Sequence, residues 1–125
     1  MDPQAKDAAK RAAERLGLDA EERAAAELRA RGWTVLARRV RTGVGELDLV
    51  VEREGLLAFV EVKARASLAE AAAAVSPRQQ ARLMAAAEAW IAENPGHGAA
   101  GMRFDVILVS PEGMRRVVDA FRAWG

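Results

Sequence analysis

Apolar and polar positions along this chain change period several times, and each change marks an element. After Asp2-Pro3, the residues Ala5, Ala8, Ala9, Ala12, Ala13 and Leu16 recur at helical spacing. Asp2 suits an N-cap and Pro3 a first turn. Gly17 predicts the stop of this weakly apolar, peripheral helix. Asp19, with Glu22 three residues on, predicts the cap of a second helix that runs to about Arg31 and ends at Gly32. Its inward stripe reads Ala24, Ala25, Leu28. Glu21 lies on that stripe, seven residues before Leu28, while Glu22 points about 100° away.

The period then drops to two. Residues 33–38, 46–53 and 56–65 read as three strands. The first leads into Arg38, Arg39 and Arg41 and a Thr42-Gly43-Val44-Gly45 loop; Glu54-Gly55 turns the second into the third. Residues 69–74 are compatible with a helix. Val75-Ser76-Pro77 opens a longer one whose stripe is Leu83, Ala86, Ala87, Trp90 and Ile91. A glycine-rich loop over 94–101 precedes a buried strand at 103–109. Pro111-Glu112-Gly113 turns into a short edge strand at 114–118, with a closing turn or helix over 118–124. This order predicts an α/β fold: a mixed central sheet flanked by helices.

Acids interrupt this pattern in the central strands. A two-residue Glu54-Gly55 turn pairs Arg53 with Leu56, and counting back sets Asp48 opposite Glu61 and Glu46 opposite Lys63. By alternation Leu47, Leu49 and Val51 share one face and Glu46, Asp48 and Val50 the other. Directly opposed like charges destabilise a sheet, and burial adds a desolvation penalty. A hard divalent cation offsets both. Mg2+ or Mn2+ takes a few carboxylates, waters and phosphate oxygens, so Asp48 and Glu61 are expected metal ligands. The Val62 carbonyl is placed to complete the set, and Glu21 to reach it through water. Lys63 lands beside the same pocket, suited to orient a hydroxide or neutralise a phosphorane-like transition state. Gln79 or Gln80, early in the long helix, is placed to position the nucleophile. An alternative is a solvated face with an ordinary Glu46–Lys63 ion pair.

Composition narrows the chemistry. The chain has 125 residues, no cysteine, no tyrosine and one histidine, His97, in a glycine-rich loop. Thiolate and multi-histidine metal sites are thus excluded within one chain. Length predicts a single domain, with residues 1–17 peripheral and 18–125 the core. No stretch approaches the roughly 18 apolar residues that span a bilayer, and the charged N-terminus lacks a signal-peptide core. A cytoplasmic protein with no membrane partner is expected. A net charge of +1 says nothing about nucleic acid, but the arginine-rich cation set suits phosphate oxygens. Arg38, Arg39, Arg41, Arg65, Arg78 and Arg82 flank the acidic pocket as candidate phosphate contacts. Trp33 and Trp90 are expected in the core and Trp124 at an interface.

Asp48 followed by Glu61-Val62-Lys63 resembles the D-(E)xK signature of restriction-endonuclease-like nucleases. More closely, the chain is similar to the YraN family of small bacterial proteins, itself like archaeal Holliday-junction resolvases. The likeness runs from Glu21 to about Phe121 through Gly45-Glu46-Leu47-Asp48-Leu49-Val50, Phe59-Val60-Glu61-Val62-Lys63, Arg103-Phe104-Asp105-Val106 and Ala120-Phe121. It implies an αβββαβ core and a Mg2+-dependent phosphodiesterase site. In that site Glu21 is the first-helix acid, Asp48 and Glu61 are the metal ligands and Lys63 is the catalytic lysine. Gln79 stands where the family often has lysine, Arg39 where asparagine is common, and no proline precedes Asp48. The implied activity is a nuclease on DNA, with branched or repair intermediates as candidate substrates and a homodimer as a candidate assembly. The alternative is a nuclease fold that binds nucleic acid without cutting it.

Overall fold

The computed structural model describes residues 2–122, the side chains of residues 13 and 14 excepted. Helix α1 is continuous over Pro3–Ala30, where two helices were predicted. Asp2 caps it, its Oδ1 accepting from the Gln4 amide at 3.3 Å. Gly17 does not end it. One helical glycine costs about 1 kcal/mol, less than closing one helix and nucleating another among good helix formers. The true stop is Gly32, at φ +89°. There the Gly32 and Trp33 amides donate to the Arg29 and Leu28 carbonyls, both at 3.0 Å, which closes the end as a Schellman motif. Before Ala20 the described side chains of α1 are exposed; packing begins at Ala20.

Strands β1 (Thr34–Thr42), β2 (Gly45–Arg53) and β3 (Leu56–Ala64) form an antiparallel meander. Helices α2 (Leu68–Ala73) and α3 (Pro77–Glu93) then carry the chain across, so that β4 (Gly101–Ser110) pairs parallel to β3. Ser67 and Ser76 cap these helices. Strand β5 (Gly113–Phe121) closes the other edge antiparallel to β4. The result is an α/β fold on a five-stranded mixed sheet in the order β1-β2-β3-β4-β5.

Strands β1, β4 and β5 outrun their predicted bounds, β4 by only one or two residues at each end. The arginine run at 38–41 belongs to β1, because its cations find carboxylates on α1 and β2 rather than solvent. The edge strand β5 continues past Val118, through a bulge at Asp119 (φ +52°), because Phe121 stacks on Phe104 with ring centroids 4.9 Å apart. The end of that closing segment, with Trp124, lies outside the described residues.

The core has two layers. On one face Ala20, Ala24, Ala25 and Leu28 of α1, with Trp33, cover Leu49, Val51, Val60, Ile107 and Val109. On the other, Leu83, Ala86, Ala87 and Trp90 of α3 cover Leu47, Val50, Phe59 and Phe104. Trp33 and Trp90 are buried as expected.

Candidate metal centre

The hairpin that builds the site has the register its turn dictates. Glu54 and Gly55 both take positive φ, +51° and +80°, the requirement of a type I′ turn. Pairing runs from Arg53–Leu56 to Leu49–Val60. One step further, where Asp48 would face Glu61, the ladder ends. Asp48 Oδ2 instead accepts from the Val62 amide at 2.8 Å. The expected Glu46–Lys63 pairing therefore does not form, because cross-strand neighbours are no longer imposed beyond the ladder. Lys63 Nζ turns back to Glu61 Oε1 at 2.8 Å, and Glu46 pairs with Arg41 at 3.4 Å.

A second irregularity lies across β2. Arg39 of β1 has φ +50°, and the β1–β2 ladder skips the pair it would make with Asp48. Left-handed backbone at a non-glycine residue breaks the alternation of faces. Arg38 and Arg39 consequently point to the same side, 3.8 and 3.3 Å from Glu21 Oε1. Arg38 also reaches Glu22 at 2.8 Å. Leu47 packs with Val50 in the α3-side cluster, correcting its expected place beside Leu49 and Val51.

Asp48, at the skipped pair, lines a depression on each side of the sheet end. The α1-side depression, about 550 Å³, also takes in Gly17, Leu18, Glu21, Arg39, Arg41 and Val62. The α3-side depression, about 390 Å³, takes in Glu61, Lys63, Gln79 and Arg82. Only Asp48 and Glu46 line both. The predicted acid pair and its lysine are thus together in one pocket, with Gln79 on its wall and Glu21 in the adjoining one.

The electrostatics are those of crowded carboxylates. Burial, then the negative charge of Glu61, pushes the Asp48 carboxyl from its ordinary 3.8 up to about 7; the Val62 amide and Lys63 oppose the rise. Glu21 is also raised, by burial and then by Asp48, against the pull of Arg39 and Arg38. Its Oε1 is buried and makes no hydrogen bond. Glu61 is only 5% exposed.

Among the described residues no three His, Cys, Asp or Glu side chains gather closely enough to hold an ion by themselves. The site offers two carboxylates, an all-oxygen donor set in a pocket open to water. That fits Mg2+, which keeps several waters and shares its coordination with substrate phosphate. Asp48 and Glu61 would hold it, with Glu21 acting at a distance.

The arginines divide. Arg39 and Arg41 line the α1-side depression and Arg82 the other. Arg38 is tied to α1, and Arg65 and Arg78 are exposed and line neither depression. Sequence reasoning missed Gly17 and Leu18 as pocket wall, since Gly17 read as a stop. It also missed Gly45, where a Cβ would lie 2.9 Å from the Arg82 carbonyl oxygen. A glycine flanked by strong helix formers was the available signal for the first.

Comparison with known proteins places these residues in a family. The profile of the uncharacterised protein family UPF0102 matches residues 20–109, a stretch holding every acid of the site. The chain belongs to UPF0102. A UPF0102 protein of Bradyrhizobium sp. (strain ORS 278) is 55% identical over 113 residues, covering 90% of this chain and 80% of that protein. One from Rhodopseudomonas palustris (strain HaA2) is 56% identical over 101 residues, 81% of this chain and 79% of its own length. One from Granulibacter bethesdensis is 54% identical over 111 residues, 88% and 70%. These UPF0102 names carry no stated activity. No helix among the described residues is long and apolar enough to cross a membrane.

Proposed function

We propose that this UPF0102 protein is a metal-dependent nuclease with a restriction-endonuclease-like core, hydrolysing phosphodiester bonds in DNA. Branched or repair intermediates are the candidate substrates. The observation that carries the reading is a contrast between two buried acids. Asp105, fully buried on β4, is neutralised by Arg103 at 2.9 and 3.1 Å, by Arg116 at 3.2 Å and by the Asp119 amide at 2.9 Å. The Asp48–Glu61 pair has two carboxyl groups but only Lys63 and one amide. The first acid is completed by the protein's own cations; the second pair has one cation for two carboxyl groups, and lies in an open pocket.

A Mg2+ or Mn2+ ion bound there supplies a Lewis acid for the scissile phosphate and a bound water of lowered pKa. Lys63, held 2.8 Å from Glu61, stands next to the reacting phosphate and neutralises charge that builds up on it. Gln79, on the pocket wall, offers an amide to orient the attacking water. Arg39, Arg41 and Arg82 hold neighbouring phosphates.

The test is cleavage of a panel of linear and branched DNA with Mg2+ or Mn2+. Wild type should cut; Asp48→Ala and Lys63→Ala should lose at least about 10²-fold in rate, the scale of one electrostatic or acid–base group. Binding of DNA by wild type with no cleavage under any metal would make the protein a non-cutting nucleic-acid module.

A further inference from the structure

We infer that the strand bound at this site is single-stranded DNA, turning round the end of the sheet with one flank in each depression. The inference rests on the nuclease reading and adds the path and the kind of substrate. Helices α1 and α3 cover opposite faces of the sheet, so the two depressions open on opposite sides of it. They meet only at Glu46 and Asp48, where the β2–β3 ladder has already ended. A chain that occupies both must reverse course across one sheet thickness, about 10 Å. A duplex, with a persistence length of about 150 bp, does not make that turn. A single strand turns at each phosphate.

Both flanks have the chemistry for this. Arg39 and Arg41 stand in the first depression, half or more exposed in spite of their carboxylate partners, and free to swing onto phosphates. Arg82 stands in the second. Gly17 supplies a further, independent sign. It lies within a continuous helix, where glycine is the worst residue but proline. Its backbone is not left-handed, and an added Cβ would meet nothing within 4 Å. Neither conformation nor packing asks for glycine there. Its place in the wall of the α1-side depression does: bare backbone leaves room for a strand to pass close to the helix. Opposite, Gly45 lets the Arg82 turn of α3 approach β2 closely and sets the other wall.

The experiment is fluorescence anisotropy on the full chain with Ca2+ in place of Mg2+, intact DNA being verified on a gel. The probes are a labelled oligonucleotide of about 20 nucleotides, the same sequence as a blunt duplex, and that duplex carrying a single-stranded flap. The single strand and the flap should bind at least tenfold more tightly than the blunt duplex. Gly17→Phe fills the first depression and Arg82→Glu reverses the charge of the second. Each should weaken single-strand binding about tenfold, well beyond any loss of duplex binding, with Gly17→Gln intermediate and thermal melting verifying the fold. Equal or tighter binding of the blunt duplex, or single-strand binding untouched by the folded variants, overturns the path. If Asp48-dependent cleavage persists in that case, the nuclease reading stands alone. A wild type that neither binds nor cuts nucleic acid overturns both.

Discussion

Replacing Asp48 by Asn removes one charge from a buried like-charged pair and keeps an oxygen that can accept from the Val62 amide. In the wild type, burial and Glu61 lift the Asp48 carboxyl from 3.8 to about 7. Between those values the folded protein holds a proton that the unfolded chain has released. Where the unfolded state binds fewer protons, stability falls as pH rises, so the loss runs from about pH 4 to about pH 7. At about 1.4 kcal/mol per pH unit, the span sets a ceiling of about 4 kcal/mol at neutral pH. Charge relaxation at an effective dielectric near 20 brings the working value to about 1–3 kcal/mol. Asparagine carries none of this loss. Asp48→Asn should therefore melt roughly 4–12 °C above wild type at pH 8, and within a degree or two of it at pH 4. Millimolar Mg2+ should raise the wild-type Tm at pH 8, since ligand binding to the folded state stabilises it, and leave the variant unmoved. Circular-dichroism melts across pH 4–8, with and without Mg2+, read both effects. A gap between the two proteins that does not change with pH, or a variant less stable at pH 8, refutes the account of the carboxylate pair.

Four other perturbations follow from the same structure. Gly17→Ala should stabilise by about 1 kcal/mol, as in any exposed helix interior, whereas Gly45→Ala should destabilise by about 1–3 kcal/mol because its Cβ meets the Arg82 backbone; urea midpoints separate the signs. Asp105→Ala leaves Arg103 and Arg116 unpaired beside Trp33 and should cost about 3–5 kcal/mol in the same assay, while calorimetric Mn2+ binding by the fraction still folded is retained. Glu52 is held below its ordinary 4.5, first by the Gly98 amide at 2.8 Å and then by His97. A depressed carboxylate contributes stability above 4.5 that is lost as pH falls through its folded value, so the Gly98 amide protection factor should drop between pH 6 and pH 3; constant protection would show that the loop is held by other contacts.

Much of the site was legible because its geometry is local. A two-residue turn ending in glycine admits one hairpin register; its ladder stops at Leu49–Val60 and leaves Asp48, Glu61 and Lys63 in one pocket just beyond it. Glu21 was legible for a different reason: a carboxylate on an apolar helical stripe must face whatever the stripe covers. The misreadings have different physical origins. The extent of α1 follows from the cost of nucleating a second helix, and Lys63 takes Glu61 because the β2–β3 ladder ends at Leu49–Val60. The side taken by Leu47 is set by α3, whose residues are far from it in the chain.

Sequence alone determined the order of the strands, the hairpin and the presence of acids where an apolar strand resists them, since each follows from side-chain period and turn chemistry. Only the tertiary structure decided which of those acids is left in want of a cation. Asp105 and Asp48 look alike in the chain, each an acid inside an apolar strand. One meets Arg116 from β5 and becomes part of the core; the other meets a second carboxylate at the end of a ladder. Charge neutralisation in a folded interior acts through a few ångströms of space, and sequence separation does not measure that distance.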